Sequence, residues 1–316
     1  MDRVAIFGAA GTMGKLVGAE LERRGIPFRA VGRHRAKLET AFGGRKGAEI
    51  VTADLADPAS AAAAARGTDT VIYAVGVPYP EFRRHPALMR TTVEAAAKAG
   101  VERLAVISSV YSYGTPQTPR VDEQHPREPH TAKGRYRKEQ EDIALDANAL
   151  GLLKTMVVRL PDFYGPHADN SLAHQVFSAA LAGKTANWLG PVSAIHEFIF
   201  VPDAARVIVD LASRPECFGE AWNVGGPGEI VGGDFIQKVY QAAGGRPRFR
   251  TIGRGMLRLA GLFQPLMREL VEMMYLQETP VILDDSKLLA VLRNVTKTPY
   301  DEGIRRTVEF MRDGRV

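Results

Sequence analysis

Three glycines, Gly8, Gly11 and Gly14, stand in the run GAAGTMG directly after the apolar stretch VAIF, a spacing suited to holding phosphate. The first glycine permits a tight turn, the second lets the backbone come close to an anion, and the third lets a helix pack on the preceding strand. The helix start that follows, with Thr12 and Met13, offers backbone N–H groups to phosphate oxygens. About twenty residues on, an acid would hold a ribose 2′-hydroxyl. Here the chain reads Gly32-Arg33-His34-Arg35, with no carboxylate. A guanidinium pairs with phosphate through two parallel, charge-assisted hydrogen bonds. Arg33 therefore points to a 2′-phosphate, and to NADP(H) ahead of NAD(H). The plain alternative for the group Arg29, Arg33, Arg35 and Lys37 is a solvated basic loop.

The elements that must position these residues follow from the pattern of the first 165 residues. Apolar runs at 4–7, 28–31, 49–52, 70–74, 104–108 and 155–159 alternate with helical stretches at 13–24, 59–66, 86–99 and 136–150. This alternation predicts βαβ units and a parallel sheet. Strands buried on both faces read as continuous apolar runs, as most of these do. The predicted fold is α/β: a Rossmann-type, doubly wound parallel sheet with a smaller, mostly helical C-terminal substrate lobe. In such sheets ligands lie outside the carboxyl ends of the strands. That places Asp54 and Leu55, after the third strand, at the adenine, and Ala74, Val75 and Gly76, after the fourth, along the cofactor. The predicted boundaries are 1–166 for the dinucleotide domain, rejoined at about 198–225, and 167–197 with 226–316 for the substrate lobe.

Composition limits the remaining classes. The 316 residues are 45% hydrophobic and 24% charged, which excludes a disordered or collagen-like chain. A lone cysteine, Cys217, leaves no internal disulfide to call for an oxidising compartment, so the expected location is the cytoplasm. The net charge of +5 is scattered, and no nucleic-acid partner is expected. Histidines show no metal spacing with cysteine or one another, so no metal site is expected. No run reaches the roughly 18 apolar residues of a membrane span, and no membrane partner is expected. The most apolar stretch, 256–276, is interrupted by Pro265. It admits three readings: helices packed in a small lobe, a substrate wall or lid, or an oligomer or membrane contact.

Several motifs together resemble the extended short-chain dehydrogenase/reductases, the NAD(P)-dependent epimerase/dehydratase family. They are GAAGTMG, ADL after the third strand, SSVYSYG after the fifth, then VRLPDFYGP, FIFVPDAA, AWNVGGP and TPYDEGIRRTVEF. The resemblance implies catalysis by a Ser/Thr, a Tyr and a Lys, the last two four apart on one helix. The Lys holds the cofactor ribose while the Tyr exchanges a proton with the substrate oxygen. Ser109 matches the Ser/Thr and Lys138 the lysine, but Gly134 stands four residues before Lys138, so the chain reads as an atypical member without the tyrosine. Candidates for the proton donor are Tyr111, two residues after Ser109 and taken provisionally, then Tyr136, His130 and Lys138 itself. Pro161 is expected among the cofactor-lining residues, and Tyr164, Asn170 and His196 on the substrate side. His196 stands where relatives acting on sugar nucleotides carry an arginine, and the adjoining Glu197 would repel a diphosphate.

These readings favour an NADP(H)-dependent oxidoreductase moving hydride on a small or apolar carbonyl, hydroxyl or enone compound. Two alternatives stay open: a nucleotide-sugar epimerase or dehydratase with no net redox, and a non-catalytic dinucleotide sensor of NmrA type. The expected partner is a small-molecule substrate. The resemblance also implies a homodimer, through a bundle including residues 86–99 and 136–150.

Overall fold

Val4–Phe7, four apolar residues with every side chain buried, form the first strand of a sheet that the rest of the N-terminal half builds outward. The structure, a computed structural model, describes residues 1–314, and at 265 and 266 the backbone alone. Residues 315 and 316, at the end of the predicted substrate lobe, lie outside the described residues. In chain order the elements are β1 (Val4–Phe7), α1 (Thr12–Arg23), β2 (Phe28–Gly32), α2 (Arg35–Phe42), β3 (Ala48–Thr52), α3 (Pro58–Ala65), β4 (Thr70–Tyr73), α4 (His85–Lys98), β5 (Arg103–Ser109), α5 (Ala132–Ala149) and β6 (Lys154–Leu160). There follow β7 (Asp162–Tyr164), α6 (His174–Leu181), β8 (Ala186–Leu189), β9 (Ile195–Phe200), α7 (Val201–Ala212), β10 (Ala221–Asn223), β11 (Glu229–Val231), α8 (Gly232–Ala242) and β12 (Phe249–Ile252). The chain ends in α9 (Arg254–Ala260), α10 (Pro265–Met273), α11 (Tyr275–Glu278), α12 (Ser286–Val291) and α13 (Tyr300–Arg312).

Contacts divide the chain into two compact units, residues 1–112, 133–159 and 204–222 in one and 113–132, 160–203 and 223–316 in the other. The first holds a seven-stranded sheet in the order β10-β6-β5-β4-β1-β2-β3. Its order reverses at β1 and β4, which pair in parallel from Val4 with Thr70 to Phe7 with Tyr73. This is the doubly wound arrangement read from the alternation of runs. The central strands β1, β4 and β5 are buried along nearly their whole length, as their continuous apolar sequence requires. Their side chains meet those of α3, α4 and α5 in one core that includes Phe7, Tyr73, Leu104 and Val157. Asp57 starts α3 by accepting from the amides of Ala59 and Ser60, with Pro58 at the first helical position.

The second unit has a three-stranded sheet, β11-β9-β7, and a two-stranded pair, β12-β8. Its core is aromatic: Tyr164, Phe177, Phe198, Phe200, Phe235 and Tyr240 pack with the apolar faces of α6, α8 and α13.

Candidate active site

Gly8 takes φ +84°, and a Cβ on it would stand 2.8 Å from the Ala74 carbonyl oxygen, so the turn after β1 and the end of β4 touch through a position that only glycine fits. The Gly11 amide closes the turn onto the Gly8 carbonyl at 3.0 Å. Gly11 is also the N-cap of α1 and caps it with no side chain, so the first amides of the helix keep their anion-binding capacity. A Cβ on Gly14 would meet Gly8 O at 2.5 Å and Ala9 Cα at 2.6 Å, whereas one on Gly11 would find nothing nearer than Gly8 O at 3.4 Å. Gly11 therefore borders open space, and so does Gly76, where an added Cβ has no neighbour within 4 Å. This cradle fits a dinucleotide pyrophosphate. Thr12 is half-buried and Met13 buried at the start of α1, and Val75 packs partly against the core.

At the end of β2, Arg33 is exposed and forms no ion pair among the described residues. Two of its basic neighbours are committed elsewhere: Arg29 to Glu49 at 2.9 Å and Arg35 to Glu39 at 2.8 Å. Asp54 is exposed and turns its carboxylate onto the Ala56 amide at 3.0 Å. Leu55, expected at the adenine, is instead 6% exposed and sits in the core, because the chain after β3 turns its apolar side chain inward.

The chemistry-bearing residues of the same unit gather around β5 and α5. Ser109 ends β5, and its hydroxyl is buried without a hydrogen-bond partner among the described residues. Two residues on, the Tyr111 hydroxyl lies 2.9 Å from that of Tyr79, which comes from the turn after β4. Lys133 Nζ stands over the Tyr79 ring, 5.7 Å from its centroid. One helical turn later Arg137 donates to the Ile107 carbonyl at 3.2 Å and to Gln140 at 2.7 Å, within electrostatic reach of Tyr73 and Tyr111. Burial lowers the Arg137 guanidinium from its ordinary range, and it also holds His85 neutral: burial and this cation push the imidazole down to about 2. Next along the same face, Glu141 takes hydrogen bonds from Ser108 and Ser112 and pairs with Arg159 at 2.9 Å, both side chains being at most 2% exposed. This buried pair fixes α5 against β5 and β6.

The register of α5 corrects the expectation from sequence. Lys133, Arg137 and Glu141 face inward, at 3%, 7% and 0% exposure, because residues four apart share a helix face. Lys138, taken as the lysine of the couple, has a side chain 37% exposed and tied to Asp142 at 2.8 Å. Gly134 is buried in the first turn, and Tyr136 is half-buried. His130 precedes the helix, which starts at Ala132, and its ring meets Tyr275 edge-on. Two cations four apart thus hold the inward positions, Lys133 first and Arg137 second. The signal for them was the same spacing of four in KGRYRKEQE, one residue earlier than the pair chosen. For Tyr79, at the start of a short 3₁₀ helix after β4, the sequence carried no signal.

In the second unit, Tyr164 was expected on a substrate wall but is fully buried in the aromatic core, stacked with Phe177 and Tyr300. Pro161 is buried between β6 and β7, and Asn170 is exposed ahead of α6. His196 is 2% exposed, edge-on to Trp188 at 5.3 Å, with Nε2 unpartnered among the described residues. Burial pushes its imidazole down to about 4, so it is neutral near pH 7. Glu197 points to the opposite face of β9. Its carboxylate accepts from the amides of Gly226 at 3.0 Å and Leu283 at 2.9 Å. The Glu197 carboxylate is thus turned inside the unit and hydrogen-bonded there, on the face of β9 opposite His196. Among the described residues no group of histidine, cysteine, aspartate and glutamate side chains could hold a metal ion.

The sequence model of the NAD dependent epimerase/dehydratase family matches residues 4–225. The chain belongs to that family and is an enzyme of it. Among characterised proteins it is similar to dTDP-6-deoxy-L-talose 4-dehydrogenase (NAD(P)(+)) of Kitasatospora kifunensis, 27% identical over 240 residues, 71% of this chain and 73% of that one. Among solved structures it is similar to a dTDP-glucose 4,6-dehydratase of Streptomyces venezuelae with NAD bound, at TM-score 0.83 and 18% identity over 99% of this chain and 98% of that one. It is also similar to the UDP-glucose 4-epimerase of Thermus thermophilus in complex with NAD, at TM-score 0.78 and 20% identity over 98% of this chain and 99% of that one. The family and fold read from the motifs hold. The enzyme class sets aside the purely sensing alternative, and the relatives' names favour the nucleotide-sugar alternative over the small-carbonyl reading.

Proposed function

We propose that the protein is an NAD(P)-dependent enzyme acting on a hydroxyl or keto carbon of a nucleotide-linked sugar, with Lys133 and Arg137 in the places of the family's tyrosine and lysine. The observation that carries this reading is the inward, four-apart pair on α5 beside the unpartnered Ser109 hydroxyl and the Tyr79–Tyr111 pair. Gly8, Gly11, Thr12, Met13 and Gly14 would hold the pyrophosphate, with Ala74, Val75 and Gly76 alongside. Arg33, exposed and without an ion pair among the described residues, supports NADP(H) as the preferred form; Asp54 would border the adenine end. When bound, the nicotinamide supplies a hydride acceptor or donor.

The chain's own residues manage the proton. Ser109 donates a hydrogen bond to the substrate oxygen, and the Lys133 side chain exchanges a proton with it, taking it as the amine when a hydroxyl is oxidised and returning it as the ammonium when a keto oxygen is reduced. Tyr111, hydrogen-bonded to Tyr79, steadies the same oxygen. Arg137 is a fixed charge that keeps this corner positive as negative charge develops on the oxygen. On the substrate side, His196 is neutral and Glu197 is hydrogen-bonded inside the unit, turned to the opposite face of β9. The second unit supplies the substrate lobe in this reading.

The test is a panel of dTDP- and UDP-hexoses with NAD⁺ and NADP⁺, followed both by nicotinamide absorbance and by chromatography of the sugar, so that conversion without net redox is seen. Lys133→Ala should lower turnover by about 100-fold or more while leaving dinucleotide affinity unchanged. Lys138→Ala should stay within about threefold of the wild type, as expected for a half-exposed ion pair. Loss of turnover in Tyr111→Phe but not in Lys133→Ala would move the proton exchange to Tyr111. Turnover of a non-nucleotide carbonyl compound with no sugar nucleotide converted would overturn the substrate class.

A further inference from the structure

One region of the second unit exposes arginine and large apolar side chains together. Residues 246–268 contain six arginines, Arg246, Arg248, Arg250, Arg254, Arg258 and Arg268, and no aspartate or glutamate. The same stretch turns large apolar side chains to solvent: Met256 is 52% exposed, Leu259 65%, Leu262 69% and Phe263 83%. These four come from α9 and the turn that joins it to α10. Within α9 only Leu257 is buried, so the helix gives one apolar side chain to the core and presents the others outward. The turn is fixed by hydrogen bonds from the amides of Leu262 and Phe263 to the carbonyls of Leu259 and Ala260. Arg268 closes on the Gly261 carbonyl at 3.3 Å, which brings its guanidinium to the same turn, and Arg258 is exposed beside Leu259. Of the six arginines, Arg254 is paired with a carboxylate, Glu278, at 2.6 Å.

Single exposed leucines need no explanation, but an ordered turn tipped with leucine and phenylalanine, with Arg258 and Arg268 at it, does. We propose that this face rests on an anionic lipid bilayer, with Leu259, Leu262 and Phe263 dipping into the headgroup boundary and the arginines lying among the lipid phosphates. The composition is that of an interfacial segment: an apolar tip and basic flanks, with no acid from Arg246 to Arg268, although Glu269 follows directly and Glu278 neutralises Arg254. Arginine suits the role because its aliphatic stem covers apolar surface while its guanidinium reaches phosphate. A second copy of the chain fits less well. A twofold contact would set this arginine-rich face against itself, with like charges opposed. No helix among the described residues is long and apolar enough to cross a membrane, so the contact is with the surface. From sequence no membrane partner was expected for the chain, and a membrane or oligomer contact was one of three readings of 256–276; the exposed turn is what argues for it. This inference is independent of the reaction proposed above.

Flotation of the full chain with vesicles tests it, using phosphatidylcholine alone and phosphatidylcholine with about 30% phosphatidylglycerol. The wild type should float with the anionic vesicles and not with the neutral ones, and high salt should release it. The double variant Leu262→Ser/Phe263→Ser should bind at least tenfold more weakly, and Arg258→Gln measurably more weakly, both with unchanged circular dichroism. Absence of binding to anionic vesicles, or binding that the double variant leaves unchanged, would overturn the proposal. So would a wild-type dimer in light scattering that the double variant converts to monomer without any vesicle binding, since a second copy would then cover the turn.

Discussion

Glu197 shows how one residue's surroundings reassign it. In sequence it stands beside His196 as an anion at the threshold of a phosphate site. In the structure it is an internal brace that accepts from two backbone amides, and burial pushes its carboxyl from the ordinary 4.5 up to about 7. The folded state therefore holds this proton more tightly than the unfolded chain does. Its contribution to stability is fully present below about 4.5 and is lost as the pH rises through about 7. Glu197→Gln removes that loss. The stability of the variant relative to the wild type should grow by about 3 kcal/mol between pH 4.5 and pH 7.5, read from denaturant unfolding at each pH. A constant difference across that window would contradict the assignment. His196 titrates in the opposite sense, its imidazole being pushed down to about 4. The comparison therefore has to be made between the variants rather than on the wild-type curve alone. The α5 site was half legible at this scale. Ser109 and Tyr111 lay in a motif that fixes their place after β5, but a spacing of four in a stretch as basic as KGRYRKEQE fits two registers, and only packing chose Lys133 and Arg137 over Gly134 and Lys138. Tyr79 and the burial of Tyr164 depend on contacts distant in sequence, which no local pattern carries.

At the scale of elements, the β1–α1 turn separates two jobs that its glycines do. Gly14 is a packing position: an added Cβ would press on Gly8 O at 2.5 Å and on Ala9 Cα at 2.6 Å, backbone atoms that have nowhere to go. Gly11 faces open space, with its nearest neighbour at 3.4 Å. Gly14→Ala should therefore destabilise the fold by about 1–3 kcal/mol, as overpacking does. Gly11→Ala should stay within about 1 kcal/mol of the wild type. Chemical denaturation of both variants decides this; equal losses would mean that the turn is packed differently. These elements were legible because each strand is buried on both faces and writes a continuous apolar run. The start of α5 was not, since the basic residues in its first turns hide the periodicity that marked the other helices.

At the scale of the whole molecule, the family match over residues 4–225 covers the sheet and its helices, together with the part of the second unit that contains His196 and Glu197. The remaining C-terminal segment carries the arginine-rich turn and the helices α9 to α13. The proposed roles of the α5 couple depend on a working dinucleotide site. Titration calorimetry of the wild type, Arg33→Ala and Gly11→Ala with NADP⁺ and NAD⁺ tests that site most directly. NADP⁺ should bind in the range of about 1–100 μM, at least tenfold tighter than NAD⁺, with the advantage lost in Arg33→Ala and both affinities cut in Gly11→Ala. Tighter binding of NAD⁺, unmoved by Arg33→Ala, would contradict the phosphate assignment, and no binding of either dinucleotide would contradict the proposed enzyme as a whole.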